Sequence, residues 1–129
     1  MHKPFLTTAA LLGAVTVCMG AFGAHTLKQV LTDQSLAIYE TAIRYQFYHV
    51  FALALAGILY KEFPGKYINT AGWCFIIGMI CFCGSLYLLT YGAAKNISLN
   101  WAGPITPLGG LFFIAGWVSL ALGIRKGKS

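Results

Sequence analysis

The sequence predicts an all-α membrane protein, an antiparallel four-helix transmembrane bundle with a long second helix. Of its 129 residues 58% are apolar and only 9% are charged, and the mean hydropathy is +0.72. A typical soluble domain is about a quarter charged, so nine basic and three acidic residues cannot cover a water-facing surface. Four long uncharged runs remain, and helices satisfy their backbone groups in lipid where open sheets do not. These observations exclude both a soluble globule and a disordered chain.

The first predicted span covers residues 5–24. A run of about twenty uncharged residues matches a hydrocarbon core of roughly 30 Å. Lys3 before an apolar run, with small residues near its end, is also typical of a secretory signal, so a cleaved form with three spans is the alternative. The run is longer than a usual signal core, and we therefore expect it to be retained.

The second span is predicted at residues 43–60, preceded by an outer-side loop and helix start at residues 25–42. Thr32 and Asp33 stand where a helix N-cap belongs. No Gly or Pro occurs from Ser35 until Gly57, so one helix of about 26 residues is expected. Its length of roughly 39 Å exceeds the hydrocarbon core, and its first two turns should emerge from the membrane.

The third and fourth spans are predicted at residues 71–92 and 107–124. The loop between them contains Pro104 and Pro107 flanked by glycines, which predicts a tight turn with Pro107 in the first helical turn. Any part of this loop at membrane depth must be covered by protein. We expect His49 or Arg44 of the second helix to bond its free carbonyls.

The distribution of Lys and Arg predicts the orientation. With both termini cytoplasmic, three basic residues lie outside, Lys28, Arg44 and Lys95. Six lie inside: Lys3, Lys61, Lys66, Arg125, Lys126 and Lys128. This favours a bacterial cytoplasmic (inner) membrane protein with both termini in the cytoplasm. The basic residues are scattered along membrane edges, so the lipid bilayer is the expected partner and a nucleic acid is not.

Small residues recur every seven positions in three spans, which predicts close helix packing with a left-handed crossing near +20°. The positions are Gly13 and Gly20, then Gly78 and Ser85, then Gly109, Gly116 and Gly123. The spacing alone does not distinguish packing within one chain from packing in a homo-oligomer or with other membrane-complex subunits.

A candidate polar cluster lies around the outer half of the second helix: His25, Glu40, Arg44, Gln46 and His49. Glu40 and Arg44 are four residues apart, the favourable order for a helical ion pair. Ionisable residues within a membrane are functional candidates by default, so one hypothesis is a proton or metal site. The other, which we favour, is that these side chains cap neighbouring helix ends and form interfacial hydrogen bonds.

No set of residues indicates catalysis, a cofactor or a metal. The sequence contains neither a nucleophile with a base nor a phosphate-binding glycine pattern. The four cysteines lie within or beside spans without C-x-x-C spacing, and we interpret them as buried small side chains: Cys18, Cys74, Cys81 and Cys83. We therefore expect a protein that is not an enzyme.

Four motifs in order resemble the "domain of unknown function 423" family. They are GAFGAH at residues 20–25 with Leu27, YQ and YH at 45–46 and 48–49, GSLY at 84–87, and GPITP at 103–107 followed by GG at 109–110. This family consists of small membrane proteins that are widespread in bacteria and similar to animal transmembrane protein 256. The resemblance implies a four-helix integral membrane protein and brings no reaction, substrate or cofactor.

Two functional hypotheses follow. The first is a structural or accessory protein that self-associates or joins a larger membrane complex. The alternative is a small proton or solute transporter or channel that uses the polar cluster at the outer membrane edge. Transport requires polar groups across the bilayer midplane, and the sequence offers few there, so we favour the first.

Overall fold

The computed structural model describes residues 1–127, which form four long helices joined by short connections. The helices are α1 (Lys3–Val30), α2 (Asp33–Leu59), α3 (Lys66–Lys95) and α4 (Ile105–Lys126). Each is long and apolar enough to cross a membrane, and no strand occurs among the described residues. The predicted fold class is confirmed. Lys128, counted above on the cytoplasmic side, lies outside the described residues.

Helix α1 is longer than the first predicted span. The side chain of His2 caps its start by accepting a hydrogen bond from the Phe5 backbone N–H at 3.3 Å. The helix then continues through a π-helical turn at Gly23–Leu27 and ends at Val30. Residues 25–30 are therefore helical rather than part of an outer loop, because no Gly or Pro after Gly23 interrupts them. Only residues 31–32 separate α1 from α2.

Helix α2 is the central element, and it is long as predicted. Thr32 is its N-cap, with its hydroxyl accepting a hydrogen bond from the Ser35 backbone N–H at 3.2 Å. The 27 residues that follow contain no break and span about 40 Å. Side chains on several sides of α2 are buried, since α1, α3 and α4 all pack around it.

Helix α3 contains a second π-helical turn at Met79–Cys83, and Asn96 ends the helix in the left-handed conformation. Among its cysteines, Cys83 is buried while Cys74 and Cys81 are half-buried. Cys18 of α1 is exposed, which corrects the expectation that all four cysteines are buried. It differs because it lies on the face of α1 that no other helix covers.

The connection from α3 to α4 covers residues 96–104 and contains a short 3₁₀ helix at Asn100–Ala102. Pro104 precedes α4 and Pro107 is in its first turn, as expected. Within the described part of the chain, neither His49 nor Arg44 bonds this turn. The hydroxyls of Ser85 and Thr106 hydrogen-bond to each other instead and join α3 to the start of α4. His49 lies too deep, since its partner Trp117 is ten residues, or about 15 Å, further along α4 than Pro107.

The glycines of α3 and α4 lie where the two helices approach most closely. A Cβ atom on Gly116 would be 2.7 Å from Cε1 of Phe75, and one on Gly123 would be 2.7 Å from Cδ1 of Ile68. One on Gly78 would overlap Phe113, and one on Gly109 would overlap the Phe82 backbone. These four glycines thus lie at close contacts within the same chain.

Gly13 and Gly20 of α1 are less tightly packed. Cβ atoms there would lie 3.7 Å from Val50 and 3.8 Å from Ile43, which are ordinary contact distances. Side chains larger than hydrogen therefore fit at these two positions. Both glycines face α2, so they do not form the uncovered surface of α1.

Candidate functional site

The predicted polar residues of α2 lie in three different environments. Glu40 and Arg44 are exposed in the N-terminal half of the helix, Gln46 is buried between helices, and His49 is buried one turn further along. His25 is exposed on the π-helical turn of α1, and among the described residues its side chain makes no hydrogen bond. The five predicted residues therefore do not converge on one site.

Glu40 and Arg44 line a cavity of about 280 Å³ between α1 and α2. Gly20, Gly23 and Ala24 form the α1 side of this cavity. The predicted ion pair does not form in the described part of the chain; Arg44 donates a long hydrogen bond of 3.4 Å to the Thr41 hydroxyl instead. Both charges are exposed, and exposed pairs gain little free energy from a fixed geometry.

Gln46 connects three helices. Its Nε2 donates to the hydroxyl of Thr16 in α1, and its Oε1 accepts from the hydroxyl of Tyr87 in α3 at 2.6 Å. The Thr16 hydroxyl donates in turn to the Leu12 carbonyl at 2.6 Å. Thr16 is fully buried and Gln46 is only 6% exposed. A buried amide in lipid must be bonded by protein, so this network fixes the rotation of α1 and α3 about α2.

Tyr39 makes a second connection between α1 and α2, about two helical turns before Gln46 along α2. Its hydroxyl donates to the Met19 carbonyl at 2.5 Å. The ring lies so close to the π-helical turn of α1 that a Cβ atom on Gly23 would be 2.5 Å from its Cε1. Only glycine admits the tyrosine at this position. The Tyr39 and Tyr87 rings lie 5.6 Å apart, so the two connections adjoin.

His49 joins α2 to α4. Its Nε2 accepts a hydrogen bond of 3.1 Å from the Trp117 indole, and its Nδ1 lies 2.7 Å from the Tyr45 carbonyl. An indole only donates, so Nδ1 must carry the proton and donate to Tyr45, which describes a neutral imidazole. The ring stacks on Phe113 with centroids 3.5 Å apart. These contacts occupy both ring nitrogens and leave neither free for a ligand.

The buried polar groups are satisfied within the chain. Among the described residues, no buried side-chain nitrogen or oxygen lacks a hydrogen-bond partner. Within residues 1–127, no three His, Cys, Asp or Glu side chains lie close enough to hold a metal ion. The hydrogen bonds of Tyr39, Gln46 and His49 join α2 to the other three helices.

The sequence reasoning did not identify Thr16, Tyr87 and Trp117 as part of this arrangement. Each lies in an apolar run and carries a polar group. A tyrosine or tryptophan within a span needs a bonding partner, and that rule could have indicated Tyr87 and Trp117. The partners themselves are 41 and 68 residues away in the sequence, so no local pattern pairs them.

Known proteins similar to this chain are membrane proteins. A family model described as "Protein of unknown function (DUF423)" matches residues 19–110. The chain is 38% identical to a UPF0382 membrane protein of Staphylococcus haemolyticus, with 96% of this chain and 97% of the relative covered. It is 39% identical to a UPF0382 membrane protein of Haemophilus influenzae, with 100% and 99% covered.

A UPF0382 membrane protein of Bacillus subtilis is 35% identical, with 96% of this chain and 98% of the relative covered. No solved structure matches the chain significantly. The relatives are bacterial membrane proteins of nearly the same length, in agreement with the four apolar helices. The chain belongs to the DUF423 family of membrane proteins.

Proposed function

We propose that this protein has a structural or accessory role in the membrane, is not an enzyme, and acts by packing helix α1 against another transmembrane helix. The simplest such helix is α1 of a second copy; a helix of a larger membrane complex is the other. One observation carries the proposal, namely the uncovered face of α1.

The face of α1 that points away from α2 contains a row of small residues, beside larger exposed side chains such as Leu11, Val15 and Phe22. Only 17% of the most apolar stretch of α1 is buried, against 44% for α2. Its exposed residues include a row at helical spacing: Thr7, Ala10, Ala14, Cys18 and Ala21. Because lipid removes the hydrophobic drive between helices, association depends on close approach through such small side chains. The row therefore supports a helix–helix contact.

The satisfied polar network supports a structural role over catalysis. Gln46 is hydrogen-bonded to Thr16 and Tyr87, and His49 is hydrogen-bonded to Trp117 and the Tyr45 carbonyl. A reactive group would need a free atom facing a substrate. These side chains instead stabilise the bundle that presents α1.

The test is the mass of the protein extracted gently from its own membrane, compared with that of Ala14→Leu. We expect the wild type to form a defined dimer or a stoichiometric complex, and the bulky side chain to weaken that association. Ala115→Leu makes the same change on an exposed position of α4 and is the matched control. A wild-type monomer without any partner would overturn the proposal.

Cys18 offers a second test, because it lies within the small-residue face and is exposed. If two copies pack through α1, mild oxidation in the membrane should join them through Cys18, and Cys18→Ser should abolish the cross-link. Cross-linking that persists in Cys18→Ser would move the contact to another helix.

Transport is the alternative function, and the polar groups of Thr16, Gln46 and Tyr87 at membrane depth are the observation that favours it. The hydrogen bonds run in one direction, however, from Tyr87 through Gln46 and Thr16 to the Leu12 carbonyl, where they end. A proton or ion leak above that of empty vesicles, lost in Gln46→Leu, would establish transport.

The proposed orientation places both termini in the cytoplasm of a bacterium, in its inner membrane. The predicted inner side carries more basic residues than the outer side. A cysteine introduced at Asn96 should react with an impermeant reagent added to intact cells, while one at Lys61 should be protected. The reverse labelling pattern would invert the orientation.

A further inference from the structure

A groove separates helices α1 and α3 on the side of the bundle away from α4. Its outer part is a cavity of about 470 Å³. Thr26 and Leu27 of α1 line one wall, and Thr90 and Lys95 of α3 line the other. The groove exists because α1 packs mainly on α2 and leaves α3 uncovered beside it.

The groove continues inward as a second cavity of about 290 Å³, and Tyr87 lines both. Leu12, Met79 and Ile80 make the inner part almost wholly apolar. Gly84 also lines it, and a Cβ atom added there would meet no atom within 4 Å. This glycine faces open space, unlike the glycines between α3 and α4.

The part of the groove between Lys95 and Gly84 has the depth of one membrane leaflet, and the inner cavity continues past Gly84 to Ile76. From Lys95 to Gly84 is eleven residues of α3, or about 16 Å, close to half of a hydrocarbon core of roughly 30 Å. Lys95 is exposed in the last turn of the helix, at the membrane edge. This part of the groove therefore runs from the headgroup region to the middle of the bilayer.

The lining is mainly apolar throughout, and its cation and most of its hydroxyl groups lie in the outer part. Lys95 is the charged residue at the outer end, and none of the described lining residues of either cavity is acidic. The hydroxyls of Thr26 and Thr90 lie in the same outer part. An amphiphile with an anionic head and a hydrocarbon chain complements this gradient.

A transmembrane helix of a second copy is about 10–12 Å wide. A single acyl chain is much narrower than a helix and bends to follow the walls.

We propose that this groove is a binding site for one anionic phospholipid of the leaflet that contains Lys95. The phosphate lies at Lys95 and one acyl chain extends between α1 and α3 past Tyr87 to Gly84. This site goes beyond the proposed association through α1, which uses the opposite face of that helix.

The test is native mass spectrometry of the full chain in mild detergent, titrated with phosphatidylglycerol or phosphatidylcholine. Gly84→Leu fills the inner cavity, and Gly110→Leu is its control on α4, where the nearest atom to an added Cβ is 4.0 Å away. Lys95→Gln removes the outer charge, and Lys28→Gln removes a charge from the same membrane edge outside the lining. Helicity and melting temperature are measured for every variant.

We expect the wild type and both controls to bind one phosphatidylglycerol about fivefold more tightly than phosphatidylcholine. This is the gain in affinity for an anionic lipid that one basic residue near the membrane surface contributes. Lys95→Gln should remove this preference, and Gly84→Leu should remove binding of both lipids. Equal phosphatidylglycerol binding by Gly84→Leu and Gly110→Leu would overturn the proposal.

Two further outcomes also decide the matter. If Gly84→Leu does not fold, the surface variant Lys95→Gln settles it, and an unchanged lipid preference in that variant refutes the site. If the wild type forms a dimer without lipid that Gly84→Leu separates, a second copy covers the groove and the lipid proposal is wrong.

Discussion

Adding a single methyl group at Gly116 tests whether the α3–α4 contact limits stability. In Gly116→Ala the new Cβ lies 2.7 Å from Cε1 of Phe75 and 2.8 Å from its Cδ1. Carbon atoms prefer a separation of at least ~3.5 Å, so about 0.8 Å of overlap must be relieved. Phe75 is fully buried and packs edge-on against Trp117 with centroids 5.2 Å apart, so the ring has little room to turn.

We therefore expect α3 and α4 to separate slightly, at a cost of about 1–3 kcal/mol. The matched variant is Gly110→Ala on the same helix, where the nearest atom is 4.0 Å from the added Cβ. Removing glycine from an open helical position should stabilise by about 0.5–1 kcal/mol, so the two variants should differ in sign.

The assay is reversible unfolding in mixed micelles, followed by helicity and tryptophan fluorescence. Gly116→Leu should be more destabilising still, because its larger side chain cannot be placed between Phe75 and Cys74. If Gly116→Ala unfolds at the same denaturant concentration as Gly110→Ala, Gly116 does not lie at a tight helix contact and the reasoning fails.

The polar network and the proline turn yield three further predictions. Gln46→Leu should lower the free energy of unfolding by about 1–3 kcal/mol, because it removes two interhelical hydrogen bonds of about 0.6–1.7 kcal/mol each. The control Gln34→Leu, at an exposed position, should be near neutral in the same unfolding assay. His49→Phe should lower stability by about 0.6–1.7 kcal/mol and alter Trp117 fluorescence, because the indole loses its acceptor; an unchanged spectrum would contradict the bond. Thr106→Val should speed amide hydrogen exchange at residues 103–108, because it removes the hydrogen-bond partner of Ser85. His49→Phe should leave exchange there unchanged. The opposite pattern would show that His49 and not Thr106 stabilises this turn.

The helices could be predicted from the sequence because their causes are local. Uncharged length determines a span, and Thr32 followed by Asp33 is a cap whose partner, the Ser35 amide, is three residues away. The glycines of α3 and α4 could also be identified, since a seven-residue period places them on one face. Only the structure shows that the glycine-containing faces of α3 and α4 pack against each other within one chain.

The candidate site could not be assembled from the sequence in the same way. Gln46 and His49 were identified, but Thr16 and Trp117 are 30 and 68 residues away from them. Which partner a buried polar side chain meets depends on helix rotation and depth. His49 was expected at the proline turn because its depth in the membrane was inferred from the ends of the predicted spans. Helices α1 and α3 also contain π-helical turns, which a regular period of 3.6 residues does not predict.

The two π-helical turns determine where the chain tolerates a change in length. A π-helical turn accommodates one extra residue within an otherwise regular helix. Deleting one residue within Gly23–Leu27 or Met79–Cys83 should restore an α-helix and leave the faces on both sides in register. A deletion between Gln46 and His49 in the unbroken α2 would rotate everything beyond it by about 100° and move these two side chains apart on the helix surface. We therefore expect single-residue gaps among related chains to collect at these two turns and to be absent from α2.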